Sequence, residues 1–514
     1  MTKSLKSGAI VLVIAGFINR IIGFLYKILM VRLVGSEGIG LFQMVMPVFS
    51  FILVLTTAGI PPTISKLVSE YIALGKVQKA KKIFMVAILV LTFSSITLTI
   101  VSWLSAPFVV KNFFTDSRVY WAYLTLLPSV IIISFSSIFR GYFMGYKDMI
   151  PSAVSQIIET VMRFCIGLLS ASYLYMFGLE FAIVGFSIGI VLGEIAGLVS
   201  LLLFYRKHKL HNILAKGSAI EILKRMYGLA LPITINRVIT TLVFSIHAII
   251  IPMRFQDAGY TISEATSLYG QLSGIAYTVI SLPSIVTVSL AITMVPAISE
   301  AQAANNDSLI RKRSSLALKY TLLAGIPWAV IFYVLPFHLT SFLFKSPEAG
   351  IPLKMLALGC IFIYLQQTTN GILQGLGKVS IILKNSLVGA CINVGGVYLL
   401  TATSMGIQGT ALALNISALI VTGLNLFSLI QITGCTFKLT KLSLLCLAAL
   451  IMGIGIWYLE YLLDKYVGEL QMLITVIVLG LVLYLIVLII FGFISFKDIK
   501  RLPFIEDILR FISF

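Results

Sequence analysis

The stretch FINRIIGFLYKILM, residues 17 to 30, carries two cations inside a mostly apolar run from Gly8 to Leu33. A helix needs about 20 apolar residues to cross a bilayer, so this run predicts a membrane span. Arg20 and Lys27 are seven residues apart and therefore share one face of the helix. Because a charged side chain in hydrocarbon costs at least about 2.5 kcal/mol, we expect this face to line a bundle interior or a water-filled cavity.

The whole chain repeats this pattern of long apolar runs. Of its 514 residues, 59% are apolar and 11% are charged, and its mean hydropathy is +1.05. A soluble domain keeps about a quarter of its residues charged, so the composition indicates lipid as the solvent. The sequence predicts an all-α membrane protein with about 14 transmembrane helices. The predicted spans lie near residues 8–31, 40–62, 83–109, 119–143, 151–176, 181–204, 228–252, 268–295, 316–337, 352–373, 381–403, 407–431, 440–462 and 470–495.

The loops between these spans differ in charge from one side of the membrane to the other. The formal net charge is +19, which by itself would also fit a nucleic-acid-binding protein. Most of the 38 Lys and Arg residues, however, fall in loops on the side of the N-terminus, as the positive-inside rule describes for cytoplasmic loops. We therefore expect both termini to be cytoplasmic, the basic loops to contact anionic lipids, and no nucleic acid to bind. The opposite side carries Arg32, Lys111, Arg118, Arg254, Lys345, Lys354 and Lys465.

Short motifs recur six spans apart and predict an internal repeat. Six is an even number of crossings, so the two halves would share one orientation, as in transporters with parallel repeats. The predicted domains are a six-helix lobe at 1–205, a basic cytoplasmic linker at 206–227, a second six-helix lobe at 228–435, and two appended helices with a cytoplasmic tail at 436–514. The appended helices are uniformly apolar and are expected to face lipid. The matched segments are INR at 18–20 and 235–237, PTIS at 62–65 and PAIS at 296–299, and the glycines 141 and 145 with 371 and 375.

Six charged side chains lie well inside the predicted spans: Arg20, Lys27, Glu159, Arg163, Glu194 and Arg237. Arg20 and Arg237 are related by the repeat and have no acid within reach along the sequence, so we expect them to line a cavity. Lys27 fits either a cavity or a side chain that extends to the membrane interface. Glu159 and Arg163 are four residues apart and fit either a structural ion pair or a functional site.

The charges inside the spans are mostly positive, and a low dielectric amplifies such an excess. The cavity would therefore stabilise an anion, and an anion that arrives from lipid is a phosphate- or pyrophosphate-linked lipid. Polar residues of the seventh and tenth spans would hold a glycan, whereas Arg140 and Arg254, at span ends, are expected to be interfacial. The predicted substrate-binding residues are Arg20, Lys27, Arg163, Arg237, Gln366 and Asn370.

The sequence shows no means of using a nucleotide. It has no G-x-x-x-x-G-K-[ST] motif, so transport would depend on an ion gradient, the membrane potential or substrate supply. Glu159, Glu194 and His247 are the candidates for carrying a coupling proton or sodium ion, and no metal or other cofactor is expected. Glu194 stands among three glycines, where close helix packing is the alternative role. The five cysteines form no C-x-x-C pair and are expected to be packing residues.

Several segments resemble the polysaccharide exporters of the multidrug/oligosaccharidyl-lipid/polysaccharide (MOP) superfamily, over roughly residues 1–435. The resemblance implies two six-helix lobes around a central cavity, and alternating access that moves an undecaprenyl-pyrophosphate-linked glycan outward. The segments are NRIIGFLYK (19–27), RLVGSEGIGLFQMVMP (32–47), AGIPPTISKLVSEY (58–71), RGYFMGYKDMIPSAVSQIIETVMR (140–163), SLPSIVTVSLAITMVPAISEA (281–301) and GILQGLG (371–377).

The lipid II flippases are similar more distantly. Their first helix carries a cavity arginine before a G-F pair, and Arg20 matches it. The chain departs from their pattern at Tyr26 and Lys27, where they have a basic-acidic pair, and at residues 51–58, which lack their arginines. The likeness therefore favours the fold more strongly than it favours lipid II as the cargo.

We expect a transporter and not an enzyme: a monomeric flippase in the cytoplasmic membrane that exports a lipid-linked oligosaccharide of the peptidoglycan-precursor, lipid II type. Its setting would be cell-wall or spore-cortex assembly, with the cell-wall synthesis machinery as a partner. One alternative is a multidrug exporter of the same architecture, which would need an acidic cavity. Another is a membrane glycosyltransferase or polymerase, which would need a catalytic acid on an outer loop, where Asp257 and Glu264 are the candidates. A non-transporting scaffold would leave the intramembrane cations unexplained.

Overall fold

The computed structural model describes residues 5–57, 59–207, 218–435 and 439–493, which form helices and turns and contain no β-strand. Helices predominate because lipid offers no partner for backbone N–H and C=O groups, which a helix satisfies internally. Residues 208–217 of the predicted linker and 494–514 of the predicted tail lie outside the described residues. The helices are α1 Leu5–Thr57, α2 Ile60–Ala73, α3 Val77–Leu104, α4 Ala106–Phe113, α5 Tyr120–Gly145, α6 Ile150–Leu174, α7 Leu179–Lys207, α8 Ala219–Asp257, α9 Ile262–Tyr269, α10 Tyr277–Ser281, α11 Ser284–Ala303, α12 Asp307–Val334, α13 Pro336–Phe344, α14 Gly350–Ala357, α15 Cys360–Gly375, α16 Val379–Thr401, α17 Ile407–Thr433, α18 Leu439–Leu463 and α19 Glu469–Ile490.

Among the described residues, 12 helical runs are long and apolar enough to cross a membrane, or 13 if one bent pair counts as a span. The run Ile14–Ala73 has 60 residues, about 90 Å of helix, which is roughly three times the thickness of the hydrocarbon core. Gly35 interrupts it with φ of 69°, a conformation that glycine adopts without steric cost. Gly35 divides the run into two segments that overlap the predicted spans 8–31 and 40–62.

Two predicted spans are interrupted in the structure. The span predicted at 268–295 consists of a π-helix at Gly270–Ala276, the short α10, and α11, which begins after Pro283. The span predicted at 352–373 is the pair α14 and α15, which meet at 54°. At this bend a Cβ on Gly359 would lie 2.0 Å from Asn415 Oδ1, so the close approach of α17 requires glycine there.

The chain divides into two compact units, unit 1 at Met1–Gly274 and unit 2 at Ile275–Phe514. Unit 1 therefore includes α8 and α9, which the sequence assigned to the second lobe; the lobe boundaries stay a prediction. The core of unit 1 joins α2, α3, α5 and α7, with Ile64, Phe84 and Phe143 almost fully buried. Ile222 and Met226 from the first turns of α8 enter the same core, which fixes that end of α8 against α2 and α3.

Unit 2 is built around α11, α12, α15, α16 and α17. Buried polar contacts connect α15 to α10 and α16 to α17: Tyr364 Oη donates to Ile280 O at 2.8 Å, and Asn385 Nδ2 donates to Asn425 Oδ1 at 2.9 Å. The predicted appended pair, α18 and α19, pack against each other and against α12. Their outer faces expose large apolar side chains such as Ile454 and Ile490, in keeping with the predicted contact with lipid.

The motifs of the predicted repeat make related contacts in each unit. In unit 1, a Cβ on Gly141 or Gly145 would lie 2.7 Å from Pro61 O or 2.6 Å from Val68 Cβ, both on α2. In unit 2, the matched glycines of α15 approach α11 in the same way, with distances of 2.5 Å to Ala291 O and 2.9 Å to Ile298 Cβ. The helix that carries PTIS or PAIS is thus the packing partner of the glycine pair in both units. The two-lobe repeat itself stays a prediction.

Candidate functional site

A stripe of glycines brings α7 into backbone contact with α6. A Cβ on Gly185 would lie 2.4 Å from Ala171 N, one on Gly189 would lie 2.3 Å from Gly167 Cα, and one on Gly193 would lie 2.8 Å from Glu159 O. Small residues permit this approach in membrane helices, where dispersion contacts and polar interactions replace the hydrophobic effect. Close packing around Glu194, the alternative role that the sequence left open, is therefore present, and it places the acids of the two helices side by side.

Four charged side chains from α5, α6 and α7 form one network, which we call the α5–α7 ion network: Arg140, Glu159, Arg163 and Glu194. Arg140 Nη2 donates to Glu159 Oε2 at 2.7 Å. Arg163 Nη2 donates to Glu159 Oε1 and, at 3.0 Å, to Glu194 Oε1. Arg140 Nε also donates to Ser155 Oγ at 3.3 Å. The network contains two cations and two carboxylates, so it is neutral when all four are ionised.

The network contains one partner that the sequence did not indicate and one pair that it did. Arg140, which is predicted to be interfacial, directs its guanidinium towards α6, and its side chain is 20% exposed. The pair of Glu159 and Arg163, spaced four residues apart, is present as one of the two predicted alternatives. No sequence signal linked Arg140 to Glu159, because the two residues lie on different helices. The substrate-binding role of Arg163 stays a prediction.

Three other predicted cations lack such partners. Throughout residues 5–57, 59–207, 218–435 and 439–493, no ion pair involves Arg20, Lys27 or Arg237. Protein covers neither Arg20 on α1 nor Arg237 on α8, whereas Lys27 is half-buried. The side chains of Arg20 and Arg237 therefore face lipid or water, and the cost of a cation in hydrocarbon favours water.

The predicted polar residues of α15 divide between two roles. Asn370 Oδ1 accepts from Asn425 Nδ2 at 2.9 Å, and Asn425 is in turn bonded to Asn385. Asn370 is thus part of an asparagine network that joins α15, α16 and α17. Gln366 is half-buried on the same helix, and no hydrogen bond of its side chain is among those that the described residues show.

The remaining candidates from the sequence have packing or capping contacts. His247 is 8% exposed and its ring lies edge-on to Phe244. Asp257 accepts from Arg254 Nη1 at 2.7 Å. Glu264 accepts from both the N–H and the Oγ1 of Thr261 at 2.8 Å, closing a capping box at the start of α9, and these bonds lower the pKa of Glu264. The two acids considered for an outer-loop enzyme therefore hold local structure.

A second polar network joins α1, the turn before α5, and α9 within unit 1. We call it the α1–α9 seam: Ser36, Glu37, Gly40, Asp116, Arg118, Ser263, Thr266, Ser267 and Gly270. It was not predicted, since these residues lie on three segments that are far apart along the chain.

The charged centre of the seam is Arg118, which donates to Glu37 Oε1 at 2.6 Å and to Asp116 Oδ2 at 2.7 Å. Thr266 Oγ1 donates to the same Asp116 oxygen at 3.1 Å. Ser263 Oγ donates to Glu37 Oε1 at 2.6 Å, so each acid of the seam binds one group from α9.

Within the part of the chain that the structure describes, no group of three or more His, Cys, Asp or Glu side chains could hold a metal ion. Of the charged side chains predicted inside the spans, Glu159, Arg163 and Glu194 belong to the ion network, whereas Arg20, Lys27 and Arg237 have no ion pair among the described residues. Such an arrangement can attract and hold an anion and can bind a proton, and it offers no ligand set for metal chemistry.

Comparisons with known proteins identify the family of the chain. A model of the family "polysaccharide biosynthesis protein" matches residues 5–302, and a MatE model matches residues 273–399. Stage V sporulation protein B of Bacillus subtilis (strain 168) is 30% identical over 99% of this chain and 99% of its own length. Lipid II flippase MurJ of the same organism is 26% identical over 93% of each chain.

Solved structures show the same fold. The lipid II flippase MurJ in an inward closed conformation superposes with a TM-score of 0.73 at 20% identity. The superposition covers 96% of this chain and 100% of that one. An inward-facing multidrug resistance MATE family transporter of the MOP superfamily gives 0.69 at 16% identity, over 81% of this chain and 95% of that one. These comparisons confirm the predicted all-helical membrane fold. They also confirm that the chain resembles exporters and flippases and not enzymes. This chain is a member of the polysaccharide biosynthesis protein family.

Proposed function

We propose that this protein is a flippase that moves an undecaprenyl-pyrophosphate-linked oligosaccharide of the peptidoglycan-precursor type across the cytoplasmic membrane by alternating access. The observation that carries the proposal is the set of Arg20, Lys27 and Arg237 in membrane helices without carboxylate partners among the described residues. Cations so placed are stable only beside water or an anion, and a pyrophosphate head supplies the anion. The likeness to stage V sporulation protein B and to a lipid II flippase supports the class of cargo and a setting in spore or cell-wall assembly.

The charge asymmetry of the loops supports a topology with both termini in the cytoplasm. With that topology, the break at Gly35 and the α1–α9 seam lie on the outer side. The seam is closed, with Ser36 Oγ and Ser267 Oγ 2.7 Å apart. Release of cargo to the outside would then require the seam to separate, as alternating access demands.

The remaining partners follow from the same proposal. Gln366 would hold the glycan together with the exposed edge of the asparagine network at Asn370. Anionic headgroups would contact the cytoplasmic basic loops. The protein would act as a monomer beside the cell-wall synthesis machinery, with the energy for transport taken from a proton or sodium gradient.

The test is the appearance of the cargo on the outer leaflet of vesicles. Purified protein would be reconstituted with undecaprenyl-pyrophosphate-linked disaccharide, and an impermeant reagent would report the lipid that reaches the far leaflet. We expect wild-type protein to accelerate this transfer and Arg20→Ala or Arg237→Ala to abolish it at equal insertion. Arg206→Ala, which removes an exposed cation from the last turn of α7, is the matched control. Full activity of both test variants would refute the proposal.

The fold likeness to a MATE multidrug transporter favours a second candidate, an exporter of organic cations. Such a cargo would need an excess of acids, whereas the charges inside the spans that have no ion pair among the described residues are the cations Arg20, Lys27 and Arg237. Thermal stabilisation of the purified protein distinguishes the two. Lipid-linked pyrophosphates should raise the melting temperature and organic cations should leave it unchanged; the opposite pattern would establish the multidrug exporter.

A further inference from the structure

Glu194 has the least satisfied carboxyl group in the α5–α7 ion network. Its residue is 5% exposed, and only Oε1 receives a hydrogen bond, from Arg163. Oε2 is buried and has no hydrogen-bond partner among the described residues. An ionised oxygen without a donor in such a place costs about 1–3 kcal/mol or more, and adding a proton to it removes the charge that requires solvation.

The two guanidinium groups are shared unequally between the two acids. Glu159 accepts from both Arg140 and Arg163, one on each oxygen, so it has the surroundings of a stable carboxylate. The carboxyl groups of Glu159 and Glu194 also accept from the same atom, Arg163 Nη2, so the two acids lie close together. Two neighbouring carboxylates disfavour each other's charge, a proton on one of them relieves this repulsion, and Glu194 is the one with the weaker set of donors.

The groups around Glu194 favour a proton over a metal cation. It faces Glu159 and Arg163 from α6 and Arg140 from α5. A sodium ion would need several oxygen ligands and would stand beside two guanidinium charges. A proton needs one oxygen, which Oε2 supplies.

We propose that Glu194 is a proton-binding site, and that its occupancy decides whether Arg163 is available to an anionic head group. Proton binding forms an O–H bond on the Glu194 carboxylate, so Arg163 keeps one anionic acceptor in place of two. The network then carries one net positive charge. Since the Arg163 side chain is 30% exposed, its guanidinium is able to reach a phosphate outside the helix interface. The second part of this inference rests on the proposed function, and the first part does not.

The proton site is tested by infrared difference spectroscopy of the full chain in lipid vesicles during a pH titration. We expect the carbonyl stretch of a protonated carboxyl, shifted by deuterium oxide, that disappears as the pH rises. Glu194→Gln should lose this band, and Glu194→Asp should keep it at a shifted position. Glu180→Gln, which removes an acid from the first turn of the same helix, should leave it unchanged. An identical band and titration in Glu194→Gln would overturn the proton site.

The coupling to the anion is tested with undecaprenyl pyrophosphate, and separately with inorganic pyrophosphate, bound to protein in nanodiscs at several pH values. Wild-type protein should bind more tightly as the pH falls, by roughly 5- to 150-fold, the usual range for coupling between two sites. Glu194→Gln should bind at every pH with the affinity that the wild type has at low pH. Ionisation of the ligand itself also changes binding with pH, and the same measurement on Glu180→Gln records that contribution.

The outcomes separate the inference from the proposed function. Binding with the same pH dependence in wild type and Glu194→Gln would overturn the coupling and leave the flippase proposal intact. Absence of binding in every variant would overturn the proposed function and the coupling together, while the infrared titration would still decide the proton site.

Discussion

The membrane helices of unit 1 hold two kinds of arginine. Arg140 and Arg163 form ion pairs with the carboxylates of Glu159 and Glu194. Arg20 on α1 has no such partner among the described residues. A paired cation in a low-dielectric interior is part of the fold, because removing either partner leaves the other charge buried and uncompensated. An unpaired cation contributes little to folding and remains available to a ligand. The two kinds should therefore respond differently to substitution.

The largest effect on folding should come from Glu159→Gln. This change removes the acceptor that two guanidinium groups share, and breaking a buried ion pair destabilises by about 3–5 kcal/mol. Thermal unfolding of the purified protein in lipid nanodiscs measures the loss. Glu180→Gln on α7 is the control and should unfold like the wild type. Equal stability of the two variants would show that the network does not hold α5, α6 and α7 together.

The next effect should come from Gly193→Ala, which tests whether close helix contact is what brings the charges together. The new Cβ would meet Glu159 O at 2.8 Å and Arg163 Cβ at 3.1 Å, and such overpacking costs about 1–3 kcal/mol. Gly423→Ala on α17 is the matched control, since a Cβ there meets nothing within 4 Å. A harmless Gly193→Ala would mean that α6 and α7 adjust freely, and the same unfolding assay would show it.

A comparable or smaller effect is expected from Arg118→Ala in the α1–α9 seam. Asp116 is 3% exposed and would lose its charged donor, at a cost of roughly 1–3 kcal/mol. Glu300→Gln, which breaks the pair of Arg313 with a side chain that is 76% exposed, should cost about 0–1 kcal/mol. Chemical unfolding of both variants under one condition compares them, and an Arg118→Ala effect no larger than the control would make the seam an incidental surface contact.

The smallest effect on folding should come from Arg20→Ala. No carboxylate loses a partner, so the stability should stay within about 0.5 kcal/mol of the wild type, while transport is lost. Measuring unfolding and vesicle transfer on the same preparation separates the two properties. A loss of stability near that of Glu159→Gln would reveal a structural role for Arg20 and would erase the difference between the two kinds of arginine.

Much of the fold was predictable because the bilayer sets the length of each apolar run. The predicted spans fall on helices for this reason, and the pair of Glu159 and Arg163 was visible from its spacing of four residues. The breaks were less visible. Neither the bend at Gly359 nor the π-helix at Gly270–Ala276 changes hydropathy, so their positions depend on contacts with other helices.

The site was predictable only in part, for a related physical reason. Sequence spacing identifies neighbours along one helix and cannot identify neighbours across an interface. Arg140 therefore looked interfacial, although its position on α5 lets it donate to Glu159 on α6. Likewise Asn370 looked free to bind a glycan, although Asn425 on α17 already bonds to it. The isolated cations Arg20 and Arg237 were identifiable because no acid lies near them along the sequence. The described residues likewise show no ion pair with either side chain.

The α1–α9 seam has a further consequence, which comes from its glycines and not from its charges. A Cβ on Gly270 would lie 1.9 Å from Ser36 O, and one on Gly40 would lie 2.0 Å from Thr266 O. One added methyl group at either glycine would therefore clash with the backbone of the opposite segment. Gly270→Ala should hold the two backbones apart without altering any charge, and a cysteine at position 36 would then react with a water-soluble thiol reagent far faster than in the parent protein.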